Sequence, residues 1–312
     1  MVASDGMSSQ RSSAAFPYLT LGGAQLAVGA AAIFARFALL GAEPLAVAAL
    51  RLIVASGILF ALTFVRRPKL TALSRFQKTT LALAGFALAI HFATWIWSLE
   101  YTTVAVSTLL VCTTPIWTSL YDAVVLRRRL PASVWLAYAA GAVGLWLVVG
   151  FGGSPPPVLG HQILGAALAL AGSFAIGAYF TLVREVRASM TTTRIVTHTY
   201  GWAALALALA AIVVRQPPPP AHAYAAWAGI LAMALISQLL GHTALNASLR
   251  WFSPSAIAMA TLLEPVFAAL LAAAVFGERL TALTVAGGII LLAAIGVVLI
   301  YETPPAPELK LD

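Results

Sequence analysis

Apolar stretches of about 20 residues recur along the whole chain, and few folds can accommodate them. At 1.5 Å of rise per residue, such a stretch in a helix crosses the hydrocarbon of a bilayer. Ten of them lie near 18–40, 45–65, 79–99, 103–126, 133–151, 161–183, 195–214, 222–246, 255–276 and 281–301. Inside hydrocarbon each backbone N–H and C=O must find a partner within the protein, which restricts spanning segments to helices or a closed barrel. No stretch alternates residue by residue as a barrel strand does. The expectation is an all-α membrane protein of ten transmembrane helices. Composition agrees, with 61% hydrophobic residues, 9% charged and a mean hydropathy of +0.95. A soluble domain carries about a quarter charged residues.

The net charge of +8 does not point to nucleic acid, because its distribution follows the loops. If the N-terminus is cytoplasmic, every Lys and Arg falls inside except Arg36, Arg215 and Arg279, which fall outside, and Arg51, which lies within the second apolar run. Such bias orients membrane proteins, so both termini are expected in the cytoplasm. The basic loops would also favour anionic lipid headgroups. Cys112 is the single cysteine, which excludes an internal disulfide. The first 17 residues are polar and Ser-rich, and the apolar run after them is too long for a signal peptide, so it reads as the first span. The preference for Arg over Lys, with abundant Ala, points to a GC-rich bacterium and hence to its inner membrane.

The chain also resembles itself. At a shift of 150 residues, Ser98–Tyr101 (SLEY) falls on Ser248–Trp251 (SLRW), Pro115 on Pro265, Leu120 on Leu270, Val125 on Val275, and Arg129-Leu130 on Arg279-Leu280. At a shift of 143, GAAAIFARFALL from Gly29 falls on GSFAIGAYFTLV from Gly172. Each half holds five runs. Five is odd, so the second half would enter the membrane from the opposite side. The loops agree: RRRL at 127–130 is strongly basic, while its counterpart GERL at 277–280 carries one charge of each sign. The resulting division is a tail (1–17), a first five-helix repeat (18–151), an external linker (152–160), a second, inverted repeat (161–301) and a C-terminal tail (302–312). Inverted repeats around a midplane cavity are a recurring plan of secondary transporters.

With two five-helix halves, paired in-span prolines and GERL after the ninth run, the chain resembles the drug/metabolite transporter superfamily, in particular its ten-helix EamA-type exporters of bacterial amino acids. The resemblance covers about 18–302. It implies export of small metabolites by alternating access, without ATP and without a cofactor. The first half departs from the pattern in having RRRL where an acidic signature would recur, so Glu278 and Arg279 are assigned no transport role.

Helical spacing gathers the in-span polar residues onto faces. His91, Thr94, Trp95 and Ser98 share one face of the third run. Gln238, His242 and Asn246 share one in the eighth, its repeat mate. Ser107, Thr114 and Tyr121 recur in the fourth, with Trp117 and Thr118 alongside, and Thr261, Glu264 and Ala268 in the ninth. The third, fourth, eighth and ninth runs are expected to wall a cavity. The first and sixth, with Gln25, Ser173 and Tyr179, would close its other side. The fifth and tenth, with GAVG from Gly141 and Gly287-Gly288, would support it. The substrate-binding candidates are His91, Trp95, Ser107, Thr114, Trp117, Tyr179, Gln238, His242, Asn246 and Glu264.

Each has a plainer alternative. In-span Ser and Thr often bond to the preceding turn, and a His on an apolar face is often a packing residue. Trp97, Trp227 and Trp251 stand near run ends as interface anchors. Arg51 and Asp122 are expected to pair or to snorkel. Pro115 and Pro265 each remove a helix hydrogen bond, giving static kinks or, because they match, paired hinges.

Glu264 precedes Pro265 and aligns with Thr114, so the carboxylate is an asymmetric addition to a symmetric frame. It is the candidate to meet a substrate amino group or to carry a coupling proton. Trp95 and Trp117 could stack on an aromatic side chain. No HExxH, GxSxG or DxxxD pattern and no Walker A sequence is present, so neither an enzyme nor an ATP-driven pump is expected. A channel-like facilitator, or an exporter of another metabolite or drug, is the alternative.

Overall fold

The computed structural model describes residues 4–66, 72–101, 107, 110–150, 162–276 and 281–301. The loop segment GERL (277–280), the linker 152–160 and the tail 302–312 lie outside them. All regular structure among the described residues is helical. The first span comprises α1 (Ser4–Gly29) and α2 (Ala31–Ala38). The join at Ala30 keeps the ladder intact, because Ala30 N donates to Leu26 O at 3.2 Å and Phe34 N to Ala30 O at 3.2 Å. Then follow α3 (Pro44–Arg66), α4 (Arg75–Tyr101), α5 (Thr114–Val124), α6 (Ala132–Gly150), α7 (Gln162–Arg187) and α8 (Thr192–Val214).

Helix ends carry the expected local chemistry. Thr191 caps α8 by accepting from Arg194 N, and Arg215 closes it in the left-handed conformation (φ 60°). The eighth run is not one α-helix. It is α9 (Tyr224–Ala232), a π-helix (Met233–His242) and α10 (Thr243–Ser248). The ninth run is α11 (Pro254–Ala260), a 3-10 turn (Thr261–Leu263) and α12 (Glu264–Phe276), and the last is α13 (Ala282–Tyr301). Ser253 starts α11 by accepting from Ala256 N, with Pro254 in the first turn, where a missing N–H is harmless.

Six helices among the described residues are long and apolar enough to cross a membrane, from Ala15–Ala38 to Tyr224–Ser248. Shorter apolar helices cover Ala132–Leu147, Pro254–Phe267 and Val285–Val298. The outward faces carry large apolar side chains, such as Phe64, Val65, Leu136, Ile212, Val213 and Ile289. That pattern suits a lipid surround, where exposing apolar groups carries no penalty.

Packing follows small residues. α4 lies along α7, α3 and α4 pack on α8, and α6 packs on α13. At the last contact a Cβ on Gly144 would lie 2.8 Å from Gly287 O and 3.0 Å from Leu291 Cγ, so backbone meets backbone there. The sixth and thirteenth helices, the fifth and tenth apolar runs, thus pack as a close pair.

Two of the intramembrane charged residues, Asp122 and Arg51, behave differently. Asp122 pairs with arginines as expected: its Oδ1 lies 3.5 Å from Arg184 Nη1 and its Oδ2 3.7 Å from Arg128 Nη1. It also accepts from Ser255 Oγ at 2.9 Å. Arg51, however, pairs with no acid among the described residues and does not snorkel. It is 0% exposed and donates from Nη2 to Gln238 Oε1 at 2.7 Å.

Substituting Gly144 by Val should force α6 from α13, at about 1–3 kcal/mol for overpacking. The expected result is a lower melting midpoint of the detergent-solubilised protein. Gly22→Ala, where an added Cβ meets nothing within 4 Å, should not lower it.

Candidate functional site

The prolines shape the site. Pro265 has no N–H, so the carbonyl of Thr261, four residues earlier, loses its α-helical donor. The chain tightens into the 3-10 turn, and Glu264 N bonds Thr261 O in place of the missing donor. Pro115 does the same to Val111. There the Thr114 hydroxyl turns back and donates to Val111 O at 2.8 Å, while Ile116 N bonds Thr113 O at 2.9 Å. The two interruptions meet: Cys112 Sγ lies 4.0 Å from Thr261 O, a long thiol contact onto the carbonyl that Pro265 frees.

A cavity of about 60 Å³ opens at this meeting point, room for roughly four waters by the volume one water needs. Val111, Cys112 and Thr114 from one interruption and Thr261 and Glu264 from the other line it. His91, Phe92 and Trp95 of α4 form a second side, and His242 with Leu245 a third. The first span closes it with Val28, Gly29 and Ala32, and α7 with Ile176 and Phe180. Gly29 permits this closure, since a Cβ there would lie 2.8 Å from Phe267 Cβ and 3.2 Å from Glu264 O.

The lining is apolar apart from a few groups. Glu264 is its one carboxylate, and no described residue bonds to it. His91 Nδ1 donates to Gly172 O at 3.0 Å, which in a neutral ring leaves Nε2 as an acceptor. Its ring is parallel to that of Trp95, with centroids 6.2 Å apart. His242 presents its ring to Phe92 edge-on at 5.2 Å. A carboxylate, two imidazoles and aromatic faces can hold a small polar solute that has an apolar part. Among the described residues no group of three His, Cys, Asp or Glu is placed to hold a metal ion.

Of the ten candidates, His91, Trp95, Thr114, His242 and Glu264 come together around this cavity. The other five are absent from its lining and are held by other contacts. Ser107 shares a 2.7 Å hydrogen bond with Ser98. Trp117 donates from Nε1 to Ser173 Oγ at 3.1 Å and packs edge-on against Phe174. Tyr179 donates to Asn246 Oδ1 at 2.8 Å, and Asn246 Nδ2 donates to His242 O at 2.7 Å. Gln238 bonds Arg51. Helical periodicity does not single out Phe92, Phe180, Cys112 or Val28 as lining, because apolar residues in an apolar run carry no facial signal. Pro115 and Pro265 occupy the second positions of α5 and α12, directly at the breaks.

Comparison with curated proteins finds no match. A solved structure described only as "Crystal structure of protein" matches with a TM-score of 0.75 over 92% of this chain and 98% of that one. The two are 16% identical, so the likeness is one of fold. The EamA-like transporter family model matches twice, at residues 16–150 and again at 163–301. With both halves of its sequence matched, the chain belongs to the EamA-like transporter family, whose members carry small molecules across membranes.

Proposed function

We propose that this protein is a secondary transporter that exports small metabolites, amino acids foremost, across a bacterial inner membrane. On this reading ten spans form two inverted five-helix repeats, both termini are cytoplasmic, and the repeats rock around the cavity. The observation that carries it is the composition of the cavity wall. Residues of the first matched segment (His91, Trp95, Thr114) and of the second (His242, Thr261, Glu264) converge on one small space. A solute bound there would touch both halves, as alternating access about a midplane site requires. The likeness to amino-acid exporters of the YddG kind supports the substrate class. So does a lone carboxylate opposite aromatic rings, which suits an ammonium group with an apolar side chain.

Protein reconstituted in proteoliposomes should give saturable counterflow of labelled neutral amino acids, aromatic ones included. Absence of protein-dependent flux with that set would defeat the substrate claim, and unitary currents would mark a channel instead. Glu264→Gln should lower flux roughly tenfold, as expected for losing a charge-assisted hydrogen bond of about 1.5–3 kcal/mol. It should also abolish the response of flux to an imposed pH gradient. A variant with wild-type flux and pH response would leave Glu264 a packing residue.

The Asp122 cluster ties the end of α5 to α7 and α11, elements of different matched segments. In this reading it holds one end of the cavity shut. Cys112, the single cysteine, lines the cavity and reports on access. Asp122→Asn should speed Cys112 labelling by an impermeant maleimide from the Asp122 side roughly fivefold, matching about 1 kcal/mol for half-exposed ion pairs. An unchanged rate would show that the cluster does not close the cavity.

A further inference from the structure

Arg51 has no place in the cavity lining, yet it is the most demanding side chain in the molecule. A guanidinium cannot shed its charge, and placing one in a bilayer without a counter-ion is costly. Arg51 is 0% exposed, and its only hydrogen bond among the described residues is the one from Nη2 to Gln238 Oε1. Its Nε and Nη1 are buried and unbonded. Below it the Phe92 ring offers a face, with the guanidinium carbon 4.0 Å from the centroid. That cation–π contact partly offsets the missing anion but satisfies no N–H.

The neighbouring groups share the deficit. Gln238 Nε2 and His242 Nδ1 are also buried without partners. Both residues belong to the π-helix, a geometry concentrated at functional sites because it displaces side chains from the regular helical register. Each unmade donor bond in a buried site costs about 1–3 kcal/mol. A cluster that keeps several unmade donors around an uncompensated cation is complementary to an anion, and its planar fork matches a carboxylate. Glu264 is not that partner, since no described residue bonds to it.

The cluster adjoins the cavity through two rings. Phe92 touches Arg51 on one side and His242 on another, and both Phe92 and His242 line the cavity. Phe92 is thus the side chain that stands between Arg51 and the cavity.

We propose that Arg51, with Gln238 beside it, is the carboxylate-recognition subsite for the transported solute, and that Phe92 is the movable partition between it and the cavity. A zwitterion would then be held at both ends, with its carboxylate at Arg51 and its ammonium at Glu264. The inference rests on the transport reading above, but recognition is measured by binding, so the two fail separately.

The test uses the purified full chain in detergent and four related probes: phenylalanine, its amide, phenethylamine and 3-phenylpropionate. Shifts in melting midpoint across a concentration series give their affinities. Phenylalanine and 3-phenylpropionate should stabilise the protein, and the amide and the amine should bind at least roughly tenfold more weakly, the loss of a charge-assisted bond. Arg51→Gln should erase that preference, and Arg51→Lys should restore part of it, because charge returns without the fork. Equal binding of all four by the wild-type protein overturns the proposal, and that result does not depend on any variant folding. So does an Arg51→Gln protein that keeps the preference, or no carboxylate-dependent shift with any neutral amino acid. If replacing gluconate by chloride stabilises the protein while the organic carboxylates do not, a resident inorganic anion is the ligand and the proposal is overturned. Carboxylate-selective binding without flux in proteoliposomes would uphold the subsite and defeat the transport reading.

Discussion

Every feature of this molecule answers to one constraint: in hydrocarbon, a backbone carbonyl without a donor must find one nearby. Most of the chain meets it by forming uninterrupted helices. Pro115 and Pro265 create the exceptions, since each withdraws the donor from a carbonyl four residues earlier. Those carbonyls, of Val111 and Thr261, belong to residues that line the cavity. The candidate site thus lies where the membrane helix is interrupted, and polar atoms and open volume coexist there with a satisfied backbone.

The polar groups around the breaks are held from outside the cavity as well. Ser173 of α7 receives Trp117 Nε1 and lies 3.0 Å from the Thr113 hydroxyl and 3.2 Å from that of Thr114. This knits the interrupted segment to a continuous helix. Gly172, its neighbour, accepts from His91. One turn of α7 therefore fixes groups on two other spans, which accounts for a Gly-Ser pair in the middle of an apolar run. The next two turns place Ile176 and Phe180 on the cavity wall.

Much of this was legible in the chain itself. Apolar run length anticipated the six long apolar helices among the described residues, and Pro115 and Pro265 stand at the breaks. Facial reasoning at 3.6 residues per turn worked on α4, a regular helix, where His91 and Trp95 both reach the cavity. It worked less well in the eighth run. Gln238, His242 and Asn246 are each four apart and share a face only on an α-helix. In the π-helix the bonding is i→i+5, as in Thr243 N to Gln238 O, so four residues fall short of a turn and the face rotates. His242 stays on the cavity while Gln238 turns to Arg51. Arg51 itself was visible as a lone charge in an apolar run, but a partner 187 positions away leaves no mark in local pattern. Trp117 follows a break, where counting from the preceding turn no longer sets direction, and its Nε1 turns to Ser173 Oγ.

The aligned positions 114 and 264 show how two copies of one frame can diverge. In the first copy the residue before the proline is Thr, and its hydroxyl repairs the carbonyl that the proline exposes. In the second copy that repair comes from the tightened backbone at Glu264 N and from the Cys112 thiol across the cavity. The side chain before Pro265 is thereby released from local duty, and a carboxylate can stand there facing the cavity. A hydroxyl at 264 would be drawn back onto Thr261 O as Thr114 is onto Val111 O. A deprotonated carboxylate has no donor to give, so in that form the pull is absent and the group remains available to a ligand. The asymmetry that gives the cavity its charge thus follows from which half supplies the donor for a proline-freed carbonyl.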